Sequence, residues 1–320
     1  MSAAELRPGL YRLEEPDGGR RLCQVVVVGN ERTLIVDAGL PESPERGLLP
    51  LLASLRLDER PVVLLLTHPD ADHRGGAPVL RDALARLEVW GHELDRDQLS
   101  NPDIALRERY MAFADSDDLR PPPERLATLQ SRLGAPVDLD RTLSDRAGLD
   151  LGGRTVDILH MPGHSPGSVI AYLPEEGAAL IADAAMGRGI PLRDGGLMYP
   201  PMYAPPSLYL ETIDRLEALR PNLILTGHEP PLEGAAATRF LAKSREAATR
   251  LSALVAEALS DGRRRTLVEV CSTVADGYGD LPPDGASSLA MTVDGTLREL
   301  IDRGEAEGES GPPRRFRATS

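Results

Sequence analysis

The segment Leu66-Thr-His-Pro-Asp-Ala-Asp-His-Arg-Gly-Gly76 places His68, Asp70, Asp72 and His73 within six positions. It follows the apolar run Pro61-Val-Val-Leu-Leu-Leu66 and ends on a Gly-Gly pair, which reads as the loop between a buried strand and a helix. A loop needs turn formers, but has no reason to alternate imidazoles with carboxylates. The competing interpretation, a solvated acidic turn, leaves the two imidazoles unexplained. Mixed imidazole and carboxylate shells suit borderline divalent metals, which can turn bound water into hydroxide near neutral pH. The fold must therefore carry further ligands to this strand end from elsewhere in the chain.

Three isolated polar residues at strand ends answer that demand. His164 sits in Met161-Pro-Gly-His-Ser-Pro-Gly-Ser168, after the strand-like Val156-Asp-Ile-Leu-His160. Asp183 ends the run Ala178-Ala-Leu-Ile-Ala-Asp183, and His228 follows Asn222-Leu-Ile-Leu-Thr-Gly227. Each short, buried-looking strand delivers one ligand type to a loop, where functional groups are displayed. Alone, each would be a hydrogen-bonded structural residue more often than a ligand. Their combination with the 68–73 cluster, in this order, makes chance a poor explanation.

At this point the chain resembles the metallo-β-lactamase superfamily of metallohydrolases. That family carries His-x-His-x-Asp-His, then a Pro-Gly-His, a bridging Asp and a final Gly-His. All of these blocks occur in order between residues 68 and 228, and the upstream Leu34-Ile-Val-Asp-Ala-Gly39 also fits. One departure stands out: Asp70 occupies the place of the second His, as in a minority branch that includes nuclease-like domains. The resemblance implies an α+β fold, a four-layer αββα sandwich, with a two-metal site. His68, Asp70 and His164 would hold one ion, Asp72, His73 and His228 the other, and Asp183 would bridge them. Zinc is the first expectation. The extra carboxylate hardens the shell and tilts it toward manganese or iron.

The remaining features bound the reading. At 320 residues the chain holds one large core and a smaller appendage. No apolar run approaches the roughly 20 residues of a membrane span, and the N-terminus lacks a signal-peptide core. Cys23 and Cys271 alone make no disulfide framework, so a cytoplasmic location is expected. The net charge of −14 argues against nucleic-acid affinity. Lys243 is the only Lys among 36 basic residues, a bias that a GC-rich genome also produces.

Along the chain, strands are expected at 10–13, 22–28, 33–37, 61–66, 154–160, 168–173, 178–183 and 222–226, with helices at 44–55, 76–87 and 207–219. Residues 92–140 are charged and Pro-rich and fit a helical insertion beside the site. His92 and His160 fall outside the ligand blocks and read as structural. The 187–206 loop leaves Asp183, so its Tyr199, Met202 and Tyr203 are candidate substrate-binding residues. The hydrolase domain is placed at 1–238. A second domain at 239–320, with helices at 235–260, after the Thr266 capping box and at 287–303, then a wing at 304–317, resembles a winged helix. Its eleven basic and thirteen acidic residues from 240 onward favour packing or a homodimer contact over DNA.

The resulting expectation is a binuclear metal-dependent hydrolase. Its metal-bridging hydroxide, oriented by Asp72 as the catalytic residue, would attack a small ester, lactone or thioester. The alternatives are a phosphodiesterase or nuclease of the same fold, and a metal-free binding protein.

Overall fold

The computed structural model describes residues 1–282 and 285–319. Two sheets face each other. The first runs in the order β1 (Ser2–Arg7), β2 (Leu10–Asp17), β3 (Arg20–Val28), β4 (Thr33–Val36), β5 (Val62–Leu65), β6 (Leu87–His92) and β7 (Arg141–Leu143). The second contains β8 (Arg146–Asp150), β9 (Thr155–His160), β10 (Val169–Leu173) and β11 (Ala178–Ala182). A small ribbon of β12 (Ile190–Pro191) and β13 (Leu197–Tyr199) follows, and then β14 (Leu223–Thr226) and β15 (Leu232–Glu233) complete the second sheet, ordered β15-β14-β11-β10-β9-β8.

The strand periodicity explains the layers. Successive side chains point to opposite faces, and here both faces are covered. Val25, Val27, Leu34, Val36, Val63 and Leu65 face the second sheet, where they meet Val169, Ala171, Leu180 and Leu225. Their neighbours Val26, Ile35 and Leu64 turn outward, onto Leu48, Leu52 and Leu80 of the helical layer. In the second sheet, Ile170, Ile181 and Ile224 point to the opposite face, where Tyr209, Ile213 and Leu216 of the Pro206–Leu219 helix cover them. The outcome is an αββα sandwich of mixed α+β class. β1, β7 and β8 add strands that the hydropathy pattern does not reveal. The helix expected at 76–87 is shorter, Ala77–Ala83, because the chain turns extended at Leu84 to enter β6.

The chain beyond β15 forms three main helices, Ala235–Leu259, Leu267–Tyr278 and Ala290–Asp302. A three-stranded antiparallel sheet of β16 (Arg265–Thr266), β18 (Arg315–Ala318) and β17 (Ala306–Glu309) accompanies them. The capping box at Thr266 forms, with Glu269 returning the bond to the Thr266 amide. Leu251, Val255, Val270, Val293 and Leu297 share one core with Tyr203, Tyr209 and Ile213. The tail is therefore packed onto the outer helix of the second sheet, and the 238/239 boundary falls in the first turns of the Ala235–Leu259 helix. Among the described residues, no helix is long and apolar enough to cross a membrane.

Candidate metal centre

The ends of β5, β10, β11 and β14 converge at one edge of the sandwich. β5 runs into Thr67 and His68, and Asp70 then precedes the short Ala71–Arg74 helix that carries Asp72 and His73. β11 leads into Asp183 through Ala182, whose left-handed φ of 44° turns the chain at that point. Such strain in a non-glycine residue is characteristic of functional sites. Gly227 stands before His228 because a Cβ there would lie 2.8 Å from Asp183 Oδ1 and from His73 Cε1. His164 is held by the Pro-Gly-His turn, which Asp95 supports by accepting a hydrogen bond from the Gly167 amide at 3.0 Å. Ser165 shares in that turn through its contact with Asp95. His160 joins it too, with Nε2 2.8 Å from the Pro166 carbonyl oxygen and its ring stacked on His92.

The structure gathers six of the seven expected ligands into two clusters, and Asp70 stands beside the first, its Oδ2 2.9 Å from His164 Nε2 and 3.5 Å from His68 Nε2. His68, His164 and Asp183 offer ligand atoms within 4.8 Å of one another, as do Asp72, His73 and His228. His228 Nε2 lies 3.3 Å from Asp183 Oδ2 and 3.6 Å from Asp72 Oδ2, and His73 Nε2 lies 3.8 Å from Asp183 Oδ2. Two ligands about 2.1 Å from a tetrahedral ion are about 3.4 Å apart, so these separations suit ion binding. The outer nitrogens are already committed. His73 Nδ1 meets Asp37 at 2.7 Å, His164 Nδ1 the Met202 carbonyl at 2.7 Å, His228 Nδ1 the Arg21 carbonyl at 2.8 Å, and His68 Nδ1 the Thr67 hydroxyl at 2.9 Å. Such bonds fix the tautomer and aim Nε2 inward. Nε2 of His68, His73 and His228 is buried and makes no hydrogen bond. Buried polar atoms seldom lack partners, so three converging imidazole nitrogens without one fit a metal.

Several contributors were invisible as ligand candidates. Asp37 accepts from the Thr67 amide and hydroxyl, both at 2.9 Å, besides holding His73. Arg109, from the insertion, forks onto both oxygens of Asp70 and also reaches His164 Nε2 at 2.9 Å. The phenol of Tyr110 donates to Asp70 Oδ1 at 3.0 Å. Arg20 pairs with Asp72 Oδ2 at 2.7 Å. The buried Arg74 donates to the Leu99 and Ala135 carbonyls and so ties the insertion to the ligand loop.

These charges set the proton inventory. Burial opposes ionisation of Asp70, yet Arg109 and the flanking imidazoles hold it well below the usual carboxylate range. Asp72 is held at about 2, Arg20 and the nearby imidazoles outweighing burial. Burial, reinforced by His73 and His164, lowers His68 to about 4. Burial works the same way on His73, but Asp37, Asp72 and Asp183 overcome it and raise it to about 10. At pH 7, therefore, metal-free protein carries a proton on His73 and none on His68. Metal ligation needs neutral imidazole. Loading zinc at pH 7 should thus displace about one proton from His73, and affinity should rise with pH until about pH 10. Titration calorimetry in two buffers of different ionisation enthalpy measures that release, and full loading with no proton released would refute it.

A cavity of about 370 Å³ opens over this centre, with Asp70, Asp72 and Asp183 in its lining. Tyr199 and Met202, two of the three candidate substrate-binding residues, line it. Tyr203 does not: it is fully buried, stacked on Tyr209 at 4.2 Å, and its amide donates to Thr292 Oγ1 of the tail. Its ring belongs to the core because the tail covers that side of the loop.

The model of the metallo-β-lactamase superfamily matches residues 18–228. The chain belongs to the metallo-β-lactamase superfamily. It is a metal-dependent hydrolase of that superfamily. The human acyl-coenzyme A thioesterase MBLAC2 is 29% identical over 231 residues, covering 68% of this chain and 77% of the relative. A linear primary-alkylsulfatase from Pseudomonas sp. (strain ATCC 19151) is 23% identical over 222 residues, 64% of this chain and 40% of the relative. Among solved structures, a metallo-β-lactamase family protein from Thermus thermophilus superposes with a TM-score of 0.72 at 24% identity, covering 98% of this chain and 100% of the other. A β-lactamase domain protein from Burkholderia ambifaria also gives 0.72, at 19% identity, over 99% and 93%. Both superpositions extend across the tail.

Proposed function

We propose that this superfamily member is a binuclear hydrolase of acyl thioesters. The observation that carries the reading is the convergence of two His/Asp clusters, with three buried imidazole nitrogens that make no hydrogen bond, beside a partly apolar cavity lined by Asp70, Asp72 and Asp183. The resemblance to an acyl-coenzyme A thioesterase supports the thioester class. His68, Asp70 and His164 would hold one ion and Asp72, His73 and His228 the other, with Asp183 between them. Bound divalent ions would polarise the acyl oxygen and supply a water-derived nucleophile at neutral pH. Asp72, kept ionised by Arg20, would orient such a nucleophile by accepting its hydrogen bond.

Arg109 also bears on the choice of metal. The carboxylate of Asp70 adds a negative charge to the shell, and the guanidinium forked onto it cancels that charge. The charge balance removes the net negative charge as a ground for preferring manganese or iron over zinc. A bounded cavity in a chain of net charge −14 gives no track for a nucleic-acid strand.

The test is a panel of thioester, ester, lactone, sulfate-ester and phosphodiester substrates, assayed with protein loaded with zinc, manganese or iron. The expected result is chelator-sensitive hydrolysis with the highest kcat/KM on thioesters. Preferential cleavage of phosphodiesters, or thioester turnover that survives complete chelation, would overturn it.

A further inference from the structure

The cavity over the metal centre has a charge pattern that the hydrolytic chemistry does not use. Its floor sets Asp70, Asp72 and Asp183 beside Arg20 and Arg109, which pair with two of them. Its outer wall carries Arg120, Arg125 and Arg132 against the single acid Asp118. A basic wall is not what the composition of this acidic chain would place there by chance. Two of these arginines are already occupied: Arg132 pairs with Asp17 at 2.7 Å, and the exposed Arg120 pairs with Asp115. Arg125 differs. It is half-buried on the Pro123–Leu133 helix, and among the described residues its guanidinium has no ion pair or hydrogen-bond partner.

Besides the 187–206 loop, two distant parts of the chain supply apolar side chains to the cavity. Phe113 and Leu119 belong to the insertion and Met291 to the tail. Arg314 clamps these two segments together. Its guanidinium pairs with the fully buried Asp117 of the insertion at 2.6 Å and with Asp294 of the tail at 2.8 Å. The tail thus forms part of the cavity wall and also holds the opposite wall in place.

We propose that this cavity recognises an amphiphilic substrate, the thioester of an apolar acyl group with a phosphate-bearing thiol. Arg125 takes a phosphate of the thiol half, and Phe113, Leu119 and Met291 contact the acyl chain. The proposal rests on the thioester reading and deepens it. A guanidinium fork matches a phosphate bidentately. With both ends of the substrate held on the walls, the thioester carbonyl is the group left to approach the floor.

The experiment compares two thioesters with the same medium-length acyl chain on metal-loaded enzyme. One is esterified to coenzyme A, and the other to the neutral thiol N-acetylcysteamine. Wild-type protein is expected to show the lower KM for the coenzyme A thioester, rising with salt as charge screening shortens. Arg125→Gln should cut the kcat/KM ratio of charged to neutral substrate about tenfold, mainly through KM, and Arg125→Lys should fall between. Metal content and melting temperature, measured on each variant, show that the fold is intact. Inorganic phosphate and acetate as competitors separate phosphate from carboxylate recognition, and inhibition by acetate alone would overturn the proposal. Equal KM values for the two wild-type substrates, or a ratio that Arg125→Gln does not move, would overturn it while leaving the thioesterase reading intact. Hydrolysis of neither substrate would instead remove that reading.

Discussion

Alanine at His228 is expected to remove one of two bound ions and to lower kcat/KM on the order of a thousandfold or more. The reasoning starts from rank. Replacing an outer partner of a metal ligand costs roughly 10–100-fold in affinity or activity, and a direct ligand must cost more. Asp37 supplies the internal comparison. It touches no ion in this arrangement, but its carboxylate fixes the His73 ring at 2.7 Å and the ligand loop through Thr67. Asp37→Asn should therefore fall within the roughly 10–100-fold range and keep two ions at saturating metal. Elemental analysis with steady-state kinetics on wild type, His228→Ala and Asp37→Asn reads the whole series. Two ions retained in His228→Ala would remove this imidazole from the metal shell. One ion in the wild type would refute the binuclear reading.

The ligands were legible in the sequence because each is a polar residue placed just beyond a short apolar run. That pattern survives without three-dimensional context. The same periodicity made β2 to β6, β9 to β11 and β14 readable, since alternate positions such as Val25, Val27 and Val26 serve two apolar layers. β1, β7 and β8 carry no such signal: Ser2-Ala-Ala-Glu-Leu-Arg7 and Arg146-Ala-Gly-Leu-Asp150 are edge strands, largely exposed, whose pairing partner is supplied by the neighbouring strand. Arg109 and Arg125 were hidden for a different reason. Among so many arginines, one that enters an active site is distinguished only by where the insertion folds. Asp37 stood inside a recognised block, yet its role depends on a left-handed φ of 63° that the sequence does not announce. Tyr203 shows the converse, because its orientation is decided by Thr292, a residue of the tail read as a separate domain.

Asp70→His, the substitution that would recreate the majority ligand pattern, is expected to fail alone and to succeed only with Arg109→Gln. Arg109 is almost fully buried, its side chain 7% exposed, and Asp70 is its counter-charge. Replacing Asp70 with an imidazole leaves the guanidinium among three imidazole rings and without a counter-charge. Removing one member of a buried pair costs about 3–5 kcal/mol, and a cation there also repels the incoming metal. The single variant should melt at least about 5 °C below wild type and bind the ion of the His68–His164 subsite more weakly. Arg109→Gln alone strands the Asp70 carboxylate in the same way in metal-free protein, but bound zinc then supplies the missing positive charge. Its melting temperature should therefore recover on loading, whereas that of Asp70→His should not. The double variant carries neither orphaned charge, and should regain two ions and most of the stability. Thermal melts with and without zinc, paired with elemental analysis of all three variants, decide the matter. Wild-type stability and two tightly held ions in Asp70→His alone would mean that Arg109 escapes to solvent, and the pair would then have no part in shaping the metal shell.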